Sequence, residues 1–321
     1  MNIAIKSFTF LIYSNVALDK NNQMVKDAVF RTTCSQGYFS KRKKNNINYC
    51  KFVHHHDSYL RLGPFKVEVA RLYPYVSVIH DLLSIKEISW LIDESKPKLS
   101  SSRDTIQYQN DELEGATKII EKTVQTWMQE INIQRSNVSY ELLRPNKSQI
   151  SIKYPILFDL TKKIRLATQL EVKYPTSSTM TQVTNYGLAG LCEIHNDPYG
   201  YIEGNKLGPG HEDLIDRGDI FGTFMAWLND IDGGGGTVFS HPGHEMLVKP
   251  TKGSVAFWHS LDRKGHRQIT ADHGGCPVIK GSKWILNRWL YYFDNFRDYS
   301  CGMKENELFP PPTGVYENWS L

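Results

Sequence analysis

Long apolar runs are missing from this 321-residue sequence, and no stretch approaches the roughly 20 apolar residues that a membrane-spanning helix requires. Internal repeats and low-complexity tracts are also missing. Charge is nearly balanced, 38 Lys and Arg against 34 Asp and Glu, for a net +4. A nucleic-acid partner would demand a dense basic face with interleaved aromatics, and none is present. The one basic run, Lys41-Arg42-Lys43-Lys44, is followed by Asn45-Asn46 and lies outside any periodic segment, so it reads as a solvated loop rather than a nuclear signal. Cysteine is scarce: Cys34, Cys50, Cys192, Cys276 and Cys301, with no C-x-x-C, which argues against a zinc ribbon.

The remaining composition, 40% hydrophobic and 22% charged, is that of a soluble globular protein able to bury a real core. At the N-terminus, Lys6 precedes a short apolar run at 8–16 and Ala17 offers a cleavage site, which sketches a secretory leader over residues 1–25. The cysteines form two locally spaced pairs, Cys34/Cys50 and Cys276/Cys301, while Cys192 has no obvious partner and reads as a buried free thiol. Sequons at Asn137, Asn146 and Asn318 permit glycosylation in the same compartment. Residues 26–65 read as an irregular, polar, cysteine-bracketed segment. Its run His54-His55-His56 cannot turn three side chains to one ion on regular backbone and is expected in a surface loop.

Residues 67–78 read as strand and loop. Ser84-Ile85-Lys86-Glu87 then forms a capping box ahead of Ile88, Leu91 and Ile92. Helical patterns are expected around 117–131 and 156–170, and Pro175 ends that region. After Met180 the pattern changes to short strand-like runs at 181–186, 220–228, 237–239, 246–249, 254–258 and 284–292, separated by Gly, Asn and Asp. Helices first and short strands afterwards predict an α+β domain whose helices support an antiparallel sandwich or jelly roll.

Within the strand-rich half, His195 and Asp197 stand two residues apart, and strand side chains two apart face the same way. Both can therefore reach one ion. A third ligand from a distant strand would complete a two-His, one-carboxylate face with open coordination positions, the arrangement of non-haem Fe(II) oxygenases. His273 is the candidate; His259 and His266 also lie near Lys283, but the Cys-Pro-Val after His273 and its ten-residue step to Lys283 favour it. A cosubstrate with a free carboxylate needs a cation at the far end of its pocket, and Lys283 can supply it. On the same strand face as Lys283 lie Ile285, Asn287 and Trp289.

Several motifs carry a family resemblance: Asn185-Tyr186-Gly187, His195-x-Asp197, Gly234-Gly235-Gly236-Thr237-Val238-Phe239, Lys252-Gly253-Ser254-Val255-Ala256-Phe257-Trp258, His273-Gly274-Gly275-Cys276-Pro277-Val278 and Gly281-Ser282-Lys283-Trp284. In order and spacing, the stretch from about residue 34 to 301 resembles the catalytic region of the collagen prolyl 4-hydroxylase α subunits. The resemblance implies a double-stranded β-helix, with a catalytic domain over 66–302, an oxygenase core at about 180–295 and a C-terminal tail at 303–321. It implies Fe(II) bound by His195, Asp197 and His273, and 2-oxoglutarate paired through its distal carboxylate with Lys283. Tyr186 and Thr237 would line the cosubstrate pocket, Trp289 would lie near substrate, and ascorbate would rescue oxidised iron. The implied reaction hydroxylates peptidyl proline to 4-hydroxyproline, consuming O2 and 2-oxoglutarate and releasing succinate and CO2. Also implied are a collagen-like or other proline-rich peptide substrate, a protein disulfide isomerase-type partner subunit, residence in the endoplasmic reticulum lumen, and disulfides Cys34–Cys50 and Cys276–Cys301. The chain departs from the family pattern at Ile194, where Pro is usual, at Asn196, where an aromatic is usual, and at Asp272, where Arg or Leu is common.

Overall fold

The computed structural model describes residues 20–39, 49–55, 57–58, 60–101, 123–129, 131–133, 150–200, 214–243, 245–296 and 309. The leader up to residue 19, the basic run at 41–44, His56, the three sequons, Cys301 and the tail apart from Phe309 lie outside the described residues. In chain order the elements are α1 (Lys20–Phe39), β1 (Tyr49–Val53), β2 (Phe65–Leu72), β3 (Tyr75–His80), α2 (Ile85–Ser95), β4 (Ser100–Ser101), β5 (Thr123–Met128), β6 (Ile131–Ile133), β7 (Ile150–Ile152) and α3 (Pro155–Thr168). Then follow β8 (Thr181–Tyr186), β9 (Cys192–His195), α4 (Leu214–Arg217), β10 (Ile220–Trp227), β11 (Gly233–Gly234), β12 (Thr237–Phe239), β13 (Met246–Val248), β14 (Val255–His259), β15 (His273–Gly275), β16 (Val278–Lys280) and β17 (Lys283–Tyr291).

A nine-stranded sheet in the order β1-β2-β3-β14-β10-β17-β8-β5-β4 faces a four-stranded sheet in the order β13-β12-β15-β9, and every pairing in both is antiparallel. Strand periodicity explains how the large sheet serves two cores. On β10, Phe224 and Ala226 turn to one face while Met225 and Trp227 turn to the other; on β14, Val255 and Phe257 oppose Ala256 and Trp258. The first set packs with Ile88 and Leu91 of α2 and with Leu157, Leu160 and Ile164 of α3. The second packs with Phe239, Met246 and Val248 of the small sheet. The chain is thus mixed helix and sheet, with helices on one face of the large sheet and the small sheet on the other.

Local rules account for the two supporting helices. Ser84 accepts a hydrogen bond from the Glu87 backbone N–H at 3.3 Å, and the Glu87 carboxylate accepts from the Ser84 backbone N–H at 2.8 Å, the reciprocal capping box expected there. Helix α3 begins with Pro155, where a missing N–H costs nothing, and ends at Gln169 in the left-handed conformation.

Three expectations are corrected. Within the segment 26–65 expected to be irregular, residues 26–39 belong to helix α1, because Phe30 and Cys34 dock it onto the small sheet. Within the expected helix at 117–131, residues 123–128 are strand β5: Thr, Val and Trp favour a pleated surface, and β5 pairs with β8 over six residues. The disulfide joins Cys34 to Cys276, not Cys34 to Cys50 or Cys276 to Cys301. Helix α1 carries Cys34 across the small sheet to Cys276, whereas Cys50 sits exposed on strand β1 at the edge of the large sheet. Cys192 is free, as expected. Digestion of unreduced protein should therefore yield a peptide containing Cys34 linked to one containing Cys276; a Cys34–Cys50 peptide would overturn this pairing.

Candidate functional site

The small sheet brings the two distant histidines together. His195 on β9 and His273 on β15 are direct partners across the strand pair. Asp197 lies just past the end of β9, and its carboxylate reaches between the rings, 3.7 Å from His195 Nε2 and 3.8 Å from His273 Nε2. One ligand atom from each of the three residues lies within 4.8 Å of the others, the one such group of three or more His, Cys, Asp or Glu among the described residues. Each ring is oriented by its second nitrogen: His195 Nδ1 meets the Glu193 carbonyl at 2.8 Å and His273 Nδ1 meets the Ala271 carbonyl at 3.0 Å. Both Nε2 atoms are thereby aimed at the shared position, as metal-ligating imidazoles are held.

The Asp197 carboxylate is fixed by donors from the large sheet. Thr223 Oγ1 donates to Oδ2 at 2.7 Å and Trp289 Nε1 donates to Oδ1 at 3.0 Å. Burial would raise this carboxyl, but the His273 and His195 rings and the two donors outweigh it and hold the pKa below the carboxylate range. Burial, partly offset by Asp197, pushes His273 down to about 4, so the ring is neutral as a ligand must be. His195 is held up at about 10 against the effect of burial by the Cys192 sulfur and the Asp197 carboxylate, so a cation here would compete with a proton. Two imidazoles and one carboxylate on one side of a cavity fit a divalent transition metal with positions left for other ligands.

A cavity of about 430 Å³ opens from these three residues. Its walls include Tyr186, Thr237, Lys283, Ile285, Asn287 and Trp289, so the cavity-facing side of β17 is the one that strand alternation indicates. Lys283 is only 3% exposed and stands opposite Tyr186 in the β17–β8 register, its Nζ 5.3 Å from the Tyr186 ring. Burial pushes its pKa down to about 8. No carboxylate among the described residues forms a salt bridge with it. A buried ammonium of this kind is stabilised by an incoming anion, which is the fit expected for the far carboxylate of a dicarboxylic keto acid. Gly275, two residues past His273, leaves the room: a Cβ there would stand 3.4 Å from Lys283 Nζ.

The rival histidines lie elsewhere. His259 is buried beside Phe221 and Phe257 and pushed by burial down to about 3; His266 lies 3.6 Å from Asp262. Sequence reasoning missed Thr223, whose signal is only its place in the alternation of β10. It also missed Gln125 and Gln182, which join Asn287 in a chain of side-chain hydrogen bonds of 2.7 and 3.0 Å along the cavity wall. Cys192 is half-buried rather than buried, and it lines the cavity, with Sγ 3.8 Å from His195 Nδ1.

Residues 181–291, which contain all of these groups except Gln125, match the model of the 2OG-Fe(II) oxygenase superfamily. The chain is 27% identical over 260 residues to prolyl 4-hydroxylase subunit alpha-2 of Gallus gallus, covering 79% of this chain and 42% of the relative. It is 28% identical over 250 residues to prolyl 4-hydroxylase subunit alpha-3 of Homo sapiens, covering 78% and 40%. The chain thus spans about two-fifths of the length of these relatives. Among solved structures, a viral collagen prolyl hydroxylase from Paramecium Bursaria Chlorella virus-1, in complex with 2OG, aligns with a TM-score of 0.44 at 20% identity, covering 67% of this chain and 95% of that one. The stretch at 181–291, which holds the three candidate ligands and Lys283, is thus similar to the 2OG-Fe(II) oxygenase superfamily, and the longer similarity is to prolyl 4-hydroxylase α subunits.

Proposed function

We propose that the chain is a prolyl 4-hydroxylase acting on collagen-like or other proline-rich peptides. The single observation that carries the reading is one cavity that joins the His195/Asp197/His273 cluster to the buried Lys283 ammonium. It is supported by the similarity to prolyl 4-hydroxylase α subunits across more than three-quarters of the chain. The two facing antiparallel sheets are read as the double-stranded β-helix of this superfamily, β9, β12, β13 and β15 supplying one side.

In this reading His195, Asp197 and His273 hold Fe(II), and Lys283 pairs with the distal carboxylate of 2-oxoglutarate. Tyr186 and Thr237 wall the cosubstrate pocket. The bound metal, with the keto acid and dioxygen, supplies the oxidation of a C–H bond. The protein supplies position. Thr223 and Trp289 keep the Asp197 carboxylate in one orientation, and Trp289 faces Trp127 at 5.7 Å on the outer rim, where a peptide can lie against the indoles. Met225, Ile285 and Trp258 exclude water from the inner wall. Ascorbate is the proposed reductant for oxidised iron. The Cys34–Cys276 disulfide supports an oxidising compartment, and the endoplasmic reticulum lumen is the proposed location. The relatives are named as subunits, and a protein disulfide isomerase-type chain is the proposed partner.

The test is mass spectrometry of Pro-Pro-Gly repeats and of other proline-rich peptides after incubation with enzyme, Fe(II), 2-oxoglutarate and O2. Oxygen added at proline supports the reading; succinate formed with every peptide left unmodified overturns the substrate assignment.

Lys283 gives a second, independent check. Lys283→Ala should raise the KM for 2-oxoglutarate roughly 10- to 100-fold, the loss of a charge-assisted contact worth about 1.5–3 kcal/mol, with a far smaller change in kcat. The same contact gives a pH dependence. The ammonium loses its proton as pH rises through about 8, so in the unsubstituted enzyme the KM should be low below that value and climb above it. A KM that is flat from pH 7 to 9 and unmoved by the substitution would remove Lys283 from the cosubstrate site.

A further inference from the structure

The small sheet has a second face, turned away from the cavity, and α1 lies on it. On β15 and its flanks, His273, Gly274 and Gly275 line the cavity, while the side chains of Asp272 and Cys276, and the direction a Cβ would take at Gly274, face the other way. Each of these three meets one residue of α1. The Lys26 ammonium pairs with Asp272 Oδ2, Phe30 covers Gly274 so closely that a Cβ there would stand 2.8 Å from its ring, and Cys34 is bonded to Cys276. The spacings match physically. Four residues of helix advance about 6 Å and two residues of strand about 6.6 Å, so a helix stripe at every fourth position tracks a strand face.

The first of these contacts continues to the metal ligands. Asp272 immediately precedes His273, and its other oxygen, Oδ1, accepts a hydrogen bond of 2.6 Å from Asn196 Nδ2. Asn196 stands between His195 and Asp197 and also donates to the Gln268 carbonyl at 3.1 Å. Lys26–Asp272–Asn196 is therefore a continuous polar chain that ties both ligand-bearing segments to one another and to α1. The Asp272 side chain is only 9% exposed, and the Lys26 ammonium is the cation that pairs with its carboxylate. Ile194, the residue before the first ligand, packs into the Phe30–Cys276 cluster from the same side. All three positions at which the chain departs from the collagen-enzyme pattern, Ile194, Asn196 and Asp272, are thus tied to α1 through this packing and this polar chain.

We propose that Lys26 is a positioning residue for the metal site: through Asp272 and Asn196 it fixes the separation of the His195/Asp197 and His273 ligands, with α1 pinned in register by Phe30 and the disulfide. The proposal rests on the reading of His195, Asp197 and His273 as the metal ligands. Its balance of charge is simple. Without Lys26, a nearly buried carboxylate next to His273 loses its cation and either draws in water or turns toward the positive metal, and in both cases Asn196 loses its partner.

The test titrates Co(II), as a redox-inert substitute for iron, into the unsubstituted chain and into Lys26→Ala, Lys26→Arg, Asp272→Asn, the double variant Lys26→Ala/Asp272→Asn, and Phe30→Ala, following the absorption of the bound ion. Lys26→Ala should weaken Co(II) binding roughly 10- to 100-fold, the range for groups that orient ligands without touching the metal. Lys26→Arg should restore most of it. In the Asp272→Asn background the same alanine change should have little further effect, because the carboxylate it compensates is gone. Phe30→Ala should lower the melting temperature with a smaller loss of Co(II) affinity, and the KM for 2-oxoglutarate in Lys26→Ala should stay within about twofold, since Lys283 is untouched. Unaltered Co(II) affinity in Lys26→Ala overturns the proposal, as does an affinity loss that Phe30→Ala reproduces in full. If the unsubstituted chain binds no Co(II), the metal-site reading itself fails, which the variants alone could not show.

Discussion

Replacing His195, Asp197 or His273 with alanine should cut turnover to below about one-hundredth of the unsubstituted rate. Even groups that only orient ligands are worth 10- to 100-fold, and these three are the whole of the candidate set among the described residues. Asp197 should be the most severe of the three. Its carboxylate lies between both imidazoles and accepts from Thr223 and Trp289, so its removal strips a negative charge from the site and leaves both donors without this acceptor. Thr223→Val and Trp289→Phe keep the carboxylate but delete one donor each, and each should cost about 10- to 100-fold in metal affinity or activity. The measurement is succinate production at saturating Fe(II) and 2-oxoglutarate. Near-normal activity in any one alanine variant would remove that residue from the site.

The largest effect on stability is expected at Arg288, a residue with no place in the chemistry. It is fully buried on the helix-facing side of β17, opposite the face that carries Lys283 and Asn287. Its guanidinium donates to Ser178 Oγ at 3.0 and 3.1 Å, to Thr161 Oγ1 at 2.9 Å and to Thr181 Oγ1 at 3.2 Å. Thr161 belongs to α3 and Thr181 to β8, so one side chain ties a supporting helix to the sheet. Arg288→Ala leaves a cavity and several hydroxyls without a donor, and should destabilise the fold by roughly 3–5 kcal/mol. At about 2–4 °C per kcal/mol for a domain of this size, the melting temperature should fall by about 10 °C. Thermal unfolding followed by circular dichroism measures it, and a fall of less than about 2 °C would contradict the structural role assigned here. Arg288→Lys should recover little, because one ammonium cannot span partners on two elements.

What could be read from the residues alone follows from how local the signal is. The strands after Met180 are short runs punctuated by Gly, Asn and Asp, and β8, β10, β12, β13, β14 and β17 fall within a residue or two of where that punctuation puts them. The capping box at Ser84 is likewise local, and the helix starts there. The cavity-facing side of β17 was legible because Lys283, Ile285, Asn287 and Trp289 share one parity. The failures are all tertiary. Helix α1 has a polar, weakly patterned sequence, and what holds it are contacts to β15 and Cys276, more than 240 residues away. The disulfide is tertiary in the same way: Cys34 and Cys50, near in sequence, lie on different elements, and α1 carries Cys34 to Cys276. Strand β5 was lost among charged and β-branched residues that imitate a helix edge, and with it Gln125 and the outer rim of the cavity. Nothing in the sequence marks Asn196 and Asp272 as partners; only the pairing of β9 with β15 places them side by side.

The most direct test of the central claim follows the oxygen atoms. Enzyme, Fe(II), 2-oxoglutarate and a Pro-Pro-Gly repeat peptide are incubated under isotopically labelled dioxygen, and both products are weighed by mass spectrometry. A prolyl 4-hydroxylase built on this site places one labelled atom in succinate and one on C4 of proline, in equal amounts, and the His273→Ala variant does neither. Succinate formed without any labelled peptide would contradict the substrate assignment, and label in neither product would contradict the dioxygenase itself.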